Sequence, residues 1–267
     1  MSRIAGCFSK LKKVQRTALI PYITAGDPNP SVTVPLMHAM VEAGADLLEL
    51  GVPFSDPMVD GPVIQAASER ALAHHVGMRD VLEMVQVFRQ QDQETPVVLM
   101  GYLNPIEVMG YEVFARAASA AGVDGILTVD IPPEESHDLI LALQGQALDP
   151  IYLIAPTSSP ERIQTICANA SGFVYYVSLK GVTGAANLQM QSVEDKIALI
   201  RQYTDLPIGV GFGISDAARA AQVGQCADAV VVGSAVIRHV EEHASDNIKM
   251  TAAVTALLRS MRQAMDN

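Results

Sequence analysis

The sequence predicts an α/β protein that folds as a single (β/α)8 barrel with an extra N-terminal helix. Three observations support this class: short apolar runs alternate with helical patterns, the runs are apolar throughout, and one junction sequence recurs. Continuous apolar runs are typical of parallel strands buried on both faces, and such barrels commonly form one domain of this length. We expect residues 1–267 to form one catalytic domain, with an open doubly wound sheet as the alternative.

The elements alternate in order along the chain. Amphipathic helical spacing is clearest at residues 78–90 and 246–265. The predicted strands are residues 18–24, 46–50, 97–100, 125–129, 150–154, 172–177, 207–210 and 227–232.

The recurring junction places an aspartate directly before a strand. Gly44 precedes Asp46, Gly122 precedes Asp124, and a shorter version ends at Asp228. Glycine commonly ends a helix in the left-handed conformation. Each copy is therefore predicted to be a helix-to-strand turn, as a repeated βα unit requires.

Charge and cysteine content exclude several classes of protein. The 29 acidic and 18 basic side chains give a net charge of −11, which disfavours nucleic-acid and membrane-surface binding. The three cysteines form no CxxC pair, and no 18-residue apolar run occurs. We therefore expect a soluble cytoplasmic protein that binds neither nucleic acid nor membrane.

Two carboxylates near the end of the second strand are the candidate catalytic groups. Glu49 lies between Leu48 and Leu50, where an apolar surrounding raises a carboxyl pKa towards the range useful for acid–base work. The alternative is a stabilising pair with Lys or Arg. Asp60 follows on a proline-rich loop, and Gly61 lets the loop bend over the barrel mouth. Its alternative is a turn or helix cap.

Glycine loops late in the chain predict a phosphate site. Residues 209–215 follow the seventh strand, and residues 232–235 follow the eighth and open a short helix. Backbone N–H groups at such a helix start bind anions, and barrels often hold phosphate at these two loops. A third loop, residues 180–184, is predicted to be a lid, or else a plain surface loop.

The residues that several other kinds of catalysis require are missing from the predicted strands. None of the six lysines lies on a predicted strand, the six histidines lie on predicted helices or their ends, and no GxSxG motif occurs. These absences disfavour Schiff-base, metal-dependent and serine-nucleophile chemistry. Carboxylate acid–base chemistry on a small phosphorylated substrate remains.

The sequence LELGVPFSDPMVDGPVIQ, residues 48–65, closely resembles the signature of the tryptophan synthase alpha subunit family. Six shorter motifs match in the same order, over almost the whole chain. They are residues 22–28, 100–105, 130–132, 181–184, 211–214 and 233–235.

The resemblance implies retro-aldol cleavage of indole-3-glycerol phosphate to indole and glyceraldehyde 3-phosphate. It implies that Glu49 protonates indole C3 and handles the side-chain hydroxyl, and that Asp60 hydrogen-bonds the indole N–H. It also implies a beta subunit in an α2β2 heterotetramer, with pyridoxal phosphate only in that partner. No cofactor or metal is expected in this chain.

The resemblance also implies three sets of binding residues. The phosphate set is Gly184, Gly213, Gly233 and Ser234; the indole-pocket set is Tyr22, Ile64, Met100, Leu127, Tyr175, Thr183 and Phe212; the partner-facing set is Asp56, Asn104 and Pro132.

Two departures from the family pattern concern the loops. Val59 stands where alanine is more common, and Leu179 and Lys180 stand where some members have arginine. A β-branched residue at position 59 is expected to stiffen the loop that carries Asp60. A stand-alone lyase, another sugar-phosphate barrel enzyme and an inactive partner-activating subunit are the alternative functions.

Overall fold

Eight parallel strands close into a barrel in chain order, β1 to β8, with β8 pairing back to β1. The computed structural model describes residues 2–178, 186–211 and 213–267. The predicted barrel is confirmed, and the open sheet is wrong. The strands are β1 Ala18–Thr24, β2 Leu48–Gly51, β3 Val97–Gly101, β4 Gly125–Thr128, β5 Asp149–Ile154, β6 Val174–Val177, β7 Ile208–Gly211 and β8 Ala229–Val232.

Helices surround the barrel, and a 3-10 turn, Pro133–Glu135, follows β4. They are α1 Arg3–Lys13, α2 Pro30–Glu42, α3 Pro62–Leu72, α4 Met78–Phe88, α5 Leu103–Met109, α6 Tyr111–Ala121, α7 His137–Gln144, α8 Pro160–Asn169, α9 Ala186–Ile200, α10 Ala217–Gly224, α11 Ser234–Glu242 and α12 Asn247–Met265. In the part of the chain just defined, no helix is both long and apolar enough to cross a bilayer.

Some predicted strand boundaries are wrong by one or two residues because backbone conformation, not hydrophobicity, sets where a strand begins. Residues 172–177 were predicted as one strand, but Gly172 has φ of +70° and β6 begins at Val174. Similarly, the Ala227 N–H still bonds back to Val223 O, so β8 begins at Ala229 rather than at residue 227.

The extra N-terminal helix closes one end of the barrel. Ile4, Phe8 and Leu11 of α1 join the cluster of inward-facing strand residues. The Phe8 and Phe173 rings lie 5.9 Å apart between centroids. Burial of these apolar side chains stabilises the closed end, and the opposite end of the barrel stays available for a site.

The recurring aspartates tie neighbouring strands together at the entry end. Asp46, Asp124 and Asp228 each accept, through a carboxylate oxygen, the N–H of the first or second residue of a neighbouring strand, at 2.8–2.9 Å. Each also pairs with an arginine; in the most buried pair, Asp124 lies 2.7 Å from Arg89. The left-handed Gly44 and Gly122 confirm the predicted turns. The motif is therefore structural.

Candidate active site

Glu49 is a buried carboxyl at the open end of the barrel. It lies on β2 beside Tyr22 of β1 and is 2% exposed. Its Oε1 has no hydrogen-bond partner among the described residues, and none of their Lys or Arg side chains pairs with it. The alternative of a stabilising pair is therefore wrong in the described structure. Burial and the negative charge of Asp60 raise the pKa of Glu49 to about 8, so the group is largely protonated at pH 7.

Asp60 lies on the loop between β2 and α3. Burial raises its pKa, and a hydrogen bond from the Tyr102 hydroxyl, 3.0 Å from Oδ2, works against that increase. Gly61, not Asp60, is the N-cap of α3, so the helix-cap alternative is wrong. The loop is further fixed by Gln65, whose Nε2 donates to Asp60 O at 2.9 Å. Two carboxyl groups with different surroundings therefore share one site.

Two tyrosines, one on β1 and one on β6, approach two strand glycines at the mouth. A Cβ at Gly51 would collide with the Tyr22 hydroxyl, and one at Gly211 would collide with the Tyr175 hydroxyl. Tyr22 Oη lies 3.2 Å from Thr24 Oγ1. Burial and the charge of Glu49 raise the pKa of Tyr175 well above its ordinary value. The glycines leave room for aromatic side chains around Glu49.

The other predicted pocket residues lie at different depths. Met100 follows on β3 and is partly buried, and Ile64 lies in the first turn of α3. Leu127 is fully buried in the interior cluster that α1 closes. Thr183 and Phe212 lie outside the described residues, as do Leu179 and Lys180.

The predicted phosphate loops follow adjacent strands. Gly213, after β7, has φ of +79°, which favours glycine, and its carbonyl accepts from Arg219 at 3.2 Å. Gly233 is the N-cap of α11, which begins at Ser234 and runs to Glu242. A helix start has N–H groups without intrahelical partners. Gly184 lies outside the described residues.

The three predicted partner-facing residues lie after β2, β3 and β4, at the same end of the barrel as the site. Asp56 and Asn104 are exposed, and Pro132 precedes the 3-10 turn. Two apolar side chains are exposed at this end of the barrel. Met58, on the loop after β2, is 85% exposed, and Val108, on α5, is 82% exposed. Neither residue was predicted from the sequence, although an apolar residue in a polar loop is a visible signal.

Tyr102 also belongs to the site, although its place within the motif at residues 100–105 predicted no role for it. In the described part of the chain, no group of three or more His, Cys, Asp or Glu side chains could hold a metal ion.

Comparisons with known proteins agree with this geometry. A family model described as tryptophan synthase alpha chain matches residues 8–266. The tryptophan synthase alpha chain of Thioalkalivibrio sulfidiphilus is 65% identical over 266 residues and covers 100% of both chains. That of Nitrosococcus oceani is 61% identical, covering 100% of this chain and 98% of its own.

Solved structures give the same result. Tryptophan synthase subunit alpha from Legionella pneumophila superposes with a TM-score of 0.93 at 49% identity, covering 100% of this chain and 99% of its own. Tryptophan synthase from M. tuberculosis in an aminoacrylate-bound form gives 0.88 at 35% identity, with 99% and 100% covered. The chain therefore belongs to the tryptophan synthase alpha chain family.

Proposed function

We propose that the chain is a lyase that cleaves indole-3-glycerol phosphate to indole and glyceraldehyde 3-phosphate, in a single domain of residues 1–267. The observation that carries the proposal is the buried Glu49, whose Oε1 has no hydrogen-bond partner among the described residues, beside a second carboxyl, Asp60. A retro-aldol cleavage needs one group that gives and takes a proton and another that stabilises positive charge on the ring. The buried Glu49, with its pKa raised to about 8, suits the first role, and Asp60, held by a hydrogen bond from Tyr102, suits the second.

In the proposed reaction, Glu49 both gives a proton and takes one back. Its carboxyl donates a proton to indole C3, which places positive charge on the ring, and Asp60 stabilises that charge through the indole N–H. The Glu49 carboxylate then takes the proton of the hydroxyl on the carbon bonded to C3. The bond between these carbons breaks, its electron pair returns to the ring, and the aldehyde forms. Glu49 ends protonated, so we propose a metal-independent reaction.

The rest of the site binds the two ends of the substrate. Backbone N–H groups at Gly213, Gly233 and Ser234, with Gly184, are proposed to hold the phosphate. Tyr22, Ile64, Met100, Leu127, Tyr175, Thr183 and Phe212 are proposed to surround the indole. The support is the position of the described members after or on strands whose ends meet around Glu49.

We further propose that indole passes to a beta subunit in an α2β2 heterotetramer, and that pyridoxal phosphate belongs to that partner. The exposed Asp56 and Asn104, with Pro132 and the apolar Met58 and Val108, are the proposed contact surface. The solved relatives include tryptophan synthase from M. tuberculosis in an aminoacrylate-bound form. The cytoplasmic location stays a prediction.

The test is indole release from indole-3-glycerol phosphate by the purified chain, with and without its beta subunit. We expect slow release by the chain alone and a large increase with the partner. Equally fast release without it would identify a stand-alone lyase. Tight partner binding without indole release would identify an inactive activating subunit. Faster cleavage or isomerisation of a non-indole sugar phosphate would identify another barrel enzyme.

A further inference from the structure

Tyr102 holds the loop that carries Asp60 through three separate contacts. It lies between β3 and α5 and is 4% exposed. Its ring stacks on Phe54, with centroids 5.0 Å apart and planes 28° from parallel. Its hydroxyl accepts from the Val59 N–H at 3.1 Å and donates to Asp60 Oδ2 at 3.0 Å. One side chain from a neighbouring loop therefore holds both the start and the end of the segment 54–60.

The backbone around Tyr102 is itself well supported. The next residue, Leu103, donates its N–H to Asp130 Oδ1 at 2.8 Å. On the other side, Val52 N donates to Met100 O at 2.8 Å, which joins the ends of β2 and β3. A side chain whose flanking backbone is held by strand pairing and by a hydrogen bond to Asp130 is a rigid reference point for a loop.

The hydrogen-bond pattern determines what the hydroxyl can do. A tyrosine hydroxyl has one proton to donate. The Val59 N–H can only donate, so it occupies an acceptor position of the hydroxyl and leaves that proton for Asp60. A donor held in this way favours the carboxylate form of Asp60 over the carboxylic acid. With Oδ2 held by Tyr102, Oδ1, which accepts no hydrogen bond from a described residue, is the oxygen left for a ligand.

We propose that Tyr102 is a positioning residue for the cleavage, and that its hydroxyl holds the Asp60 carboxylate, in the ionised form, for contact with the indole N–H. The inference rests on the proposed function. A misplacement of about 1 Å can cost about 100-fold in rate. Because the contact matters most when the ring becomes positive, the loss is expected in kcat rather than in KM.

The central variant is Tyr102→Phe, which removes the hydroxyl and keeps the ring on Phe54. We expect kcat to fall about 10- to 100-fold, with KM changed less than about threefold. The matched control is Tyr152→Phe, which also removes a buried hydroxyl bond, 2.5 Å from Ser136 Oγ, but outside the site. The control is expected to keep wild-type kcat. Wild-type kcat in Tyr102→Phe would overturn the proposal.

A second readout separates positioning from a structural role. Glu49 and Tyr22 also feel the charge of Asp60, so the pKa of Asp60 is measured directly, by carboxyl carbon NMR with the signal assigned from Asp60→Asn. Removing the Tyr102 hydroxyl is expected to raise this pKa by about half to one pH unit. An unchanged pKa together with reduced kcat would mean that Tyr102 supports only the fold, which overturns the proposal.

A third variant pair tests whether Tyr102 acts through Asp60. In the Asp60→Ala background, adding Tyr102→Phe is expected to change kcat by less than about twofold, because the acceptor is already absent. Additive losses would overturn the proposal. If the wild-type chain releases no indole at all, the proposed function fails, whereas the NMR titration still tests the Tyr102–Asp60 contact by itself.

Discussion

Replacing Glu49 with glutamine is expected to abolish cleavage and, at the same time, to stabilise the fold at alkaline pH. Both effects come from one property of the site: Glu49 is 2% exposed and its Oε1 has no partner among the described residues. Glutamine keeps nearly the same shape but has no proton to give. Removal of a general acid–base group typically costs about 10²–10⁴-fold in rate.

The stability effect follows from the pKa of Glu49, which burial and the charge of Asp60 raise from 4.5 to about 8. Between these values the unfolded chain loses the proton while the folded chain keeps it, so the wild-type free energy of unfolding falls as pH rises. The interval corresponds to at most roughly 5 kcal/mol. The penalty is complete above pH 8 and nearly absent below pH 4.5. The Glu49→Gln variant has no carboxyl to ionise at this position, so it does not lose this stability.

The assay is urea unfolding of the wild type and Glu49→Gln at several pH values from 5 to 9, with indole release measured on the same samples. The matched control is Glu83→Gln, which removes an exposed carboxyl on α4. The control is expected to keep wild-type activity and to show no growing stability difference with pH. We expect the gain from Glu49→Gln to grow by several kcal/mol across this range.

Two results would refute the reasoning. Retention of more than about a tenth of wild-type activity by Glu49→Gln would remove it from the acid–base role, since smaller losses than this do not fit such a group. A stability difference that stays constant from pH 5 to 9 would show that Glu49 ionises in the fold as it does in water. The burial of Glu49 would then give no support to its proposed acid–base role.

Other variants test the remaining parts of the structure. Asp124→Ala leaves the Arg89 charge buried and is expected to lower the free energy of unfolding in urea by about 3–5 kcal/mol. Its control, Glu94→Ala, breaks an exposed ion pair and is expected to cost less than about 1 kcal/mol. Equal costs would contradict the structural role of the recurring aspartate. Ser234→Asp places a negative charge at the start of α11, where it would repel the substrate phosphate. KM is expected to rise at least about tenfold with little change in melting temperature. An unchanged KM would remove α11 from the phosphate site. Gly211→Ala would collide with the tyrosine hydroxyl of β6 and is expected to lower kcat/KM at least about tenfold, so unchanged kcat/KM would mean that this glycine does not shape the pocket.

The arrangement of elements could be predicted from local patterns alone. Apolar runs, amphipathic spacing and the repeated Gly-x-Asp junction each depend on near neighbours in the chain, and each predicted its element correctly apart from a residue or two at the ends. The burial of Glu49 was predictable for the same reason, because its flanking leucines are adjacent in sequence. The loop geometry around Asp60 was not.

The sequence by itself determined the barrel, the buried acid and the family, because hydrophobic periodicity and a long motif are properties of consecutive residues. Only the tertiary structure decided the partners that come from distant positions. Tyr102 meets Asp60 across 42 residues, and Arg89 meets Asp124 across 35. Contacts of this kind depend on strand order and register, which bring loops of different βα units to one end of the barrel. The hydrogen bond that Asp60 accepts therefore comes from a neighbour that no local pattern identifies.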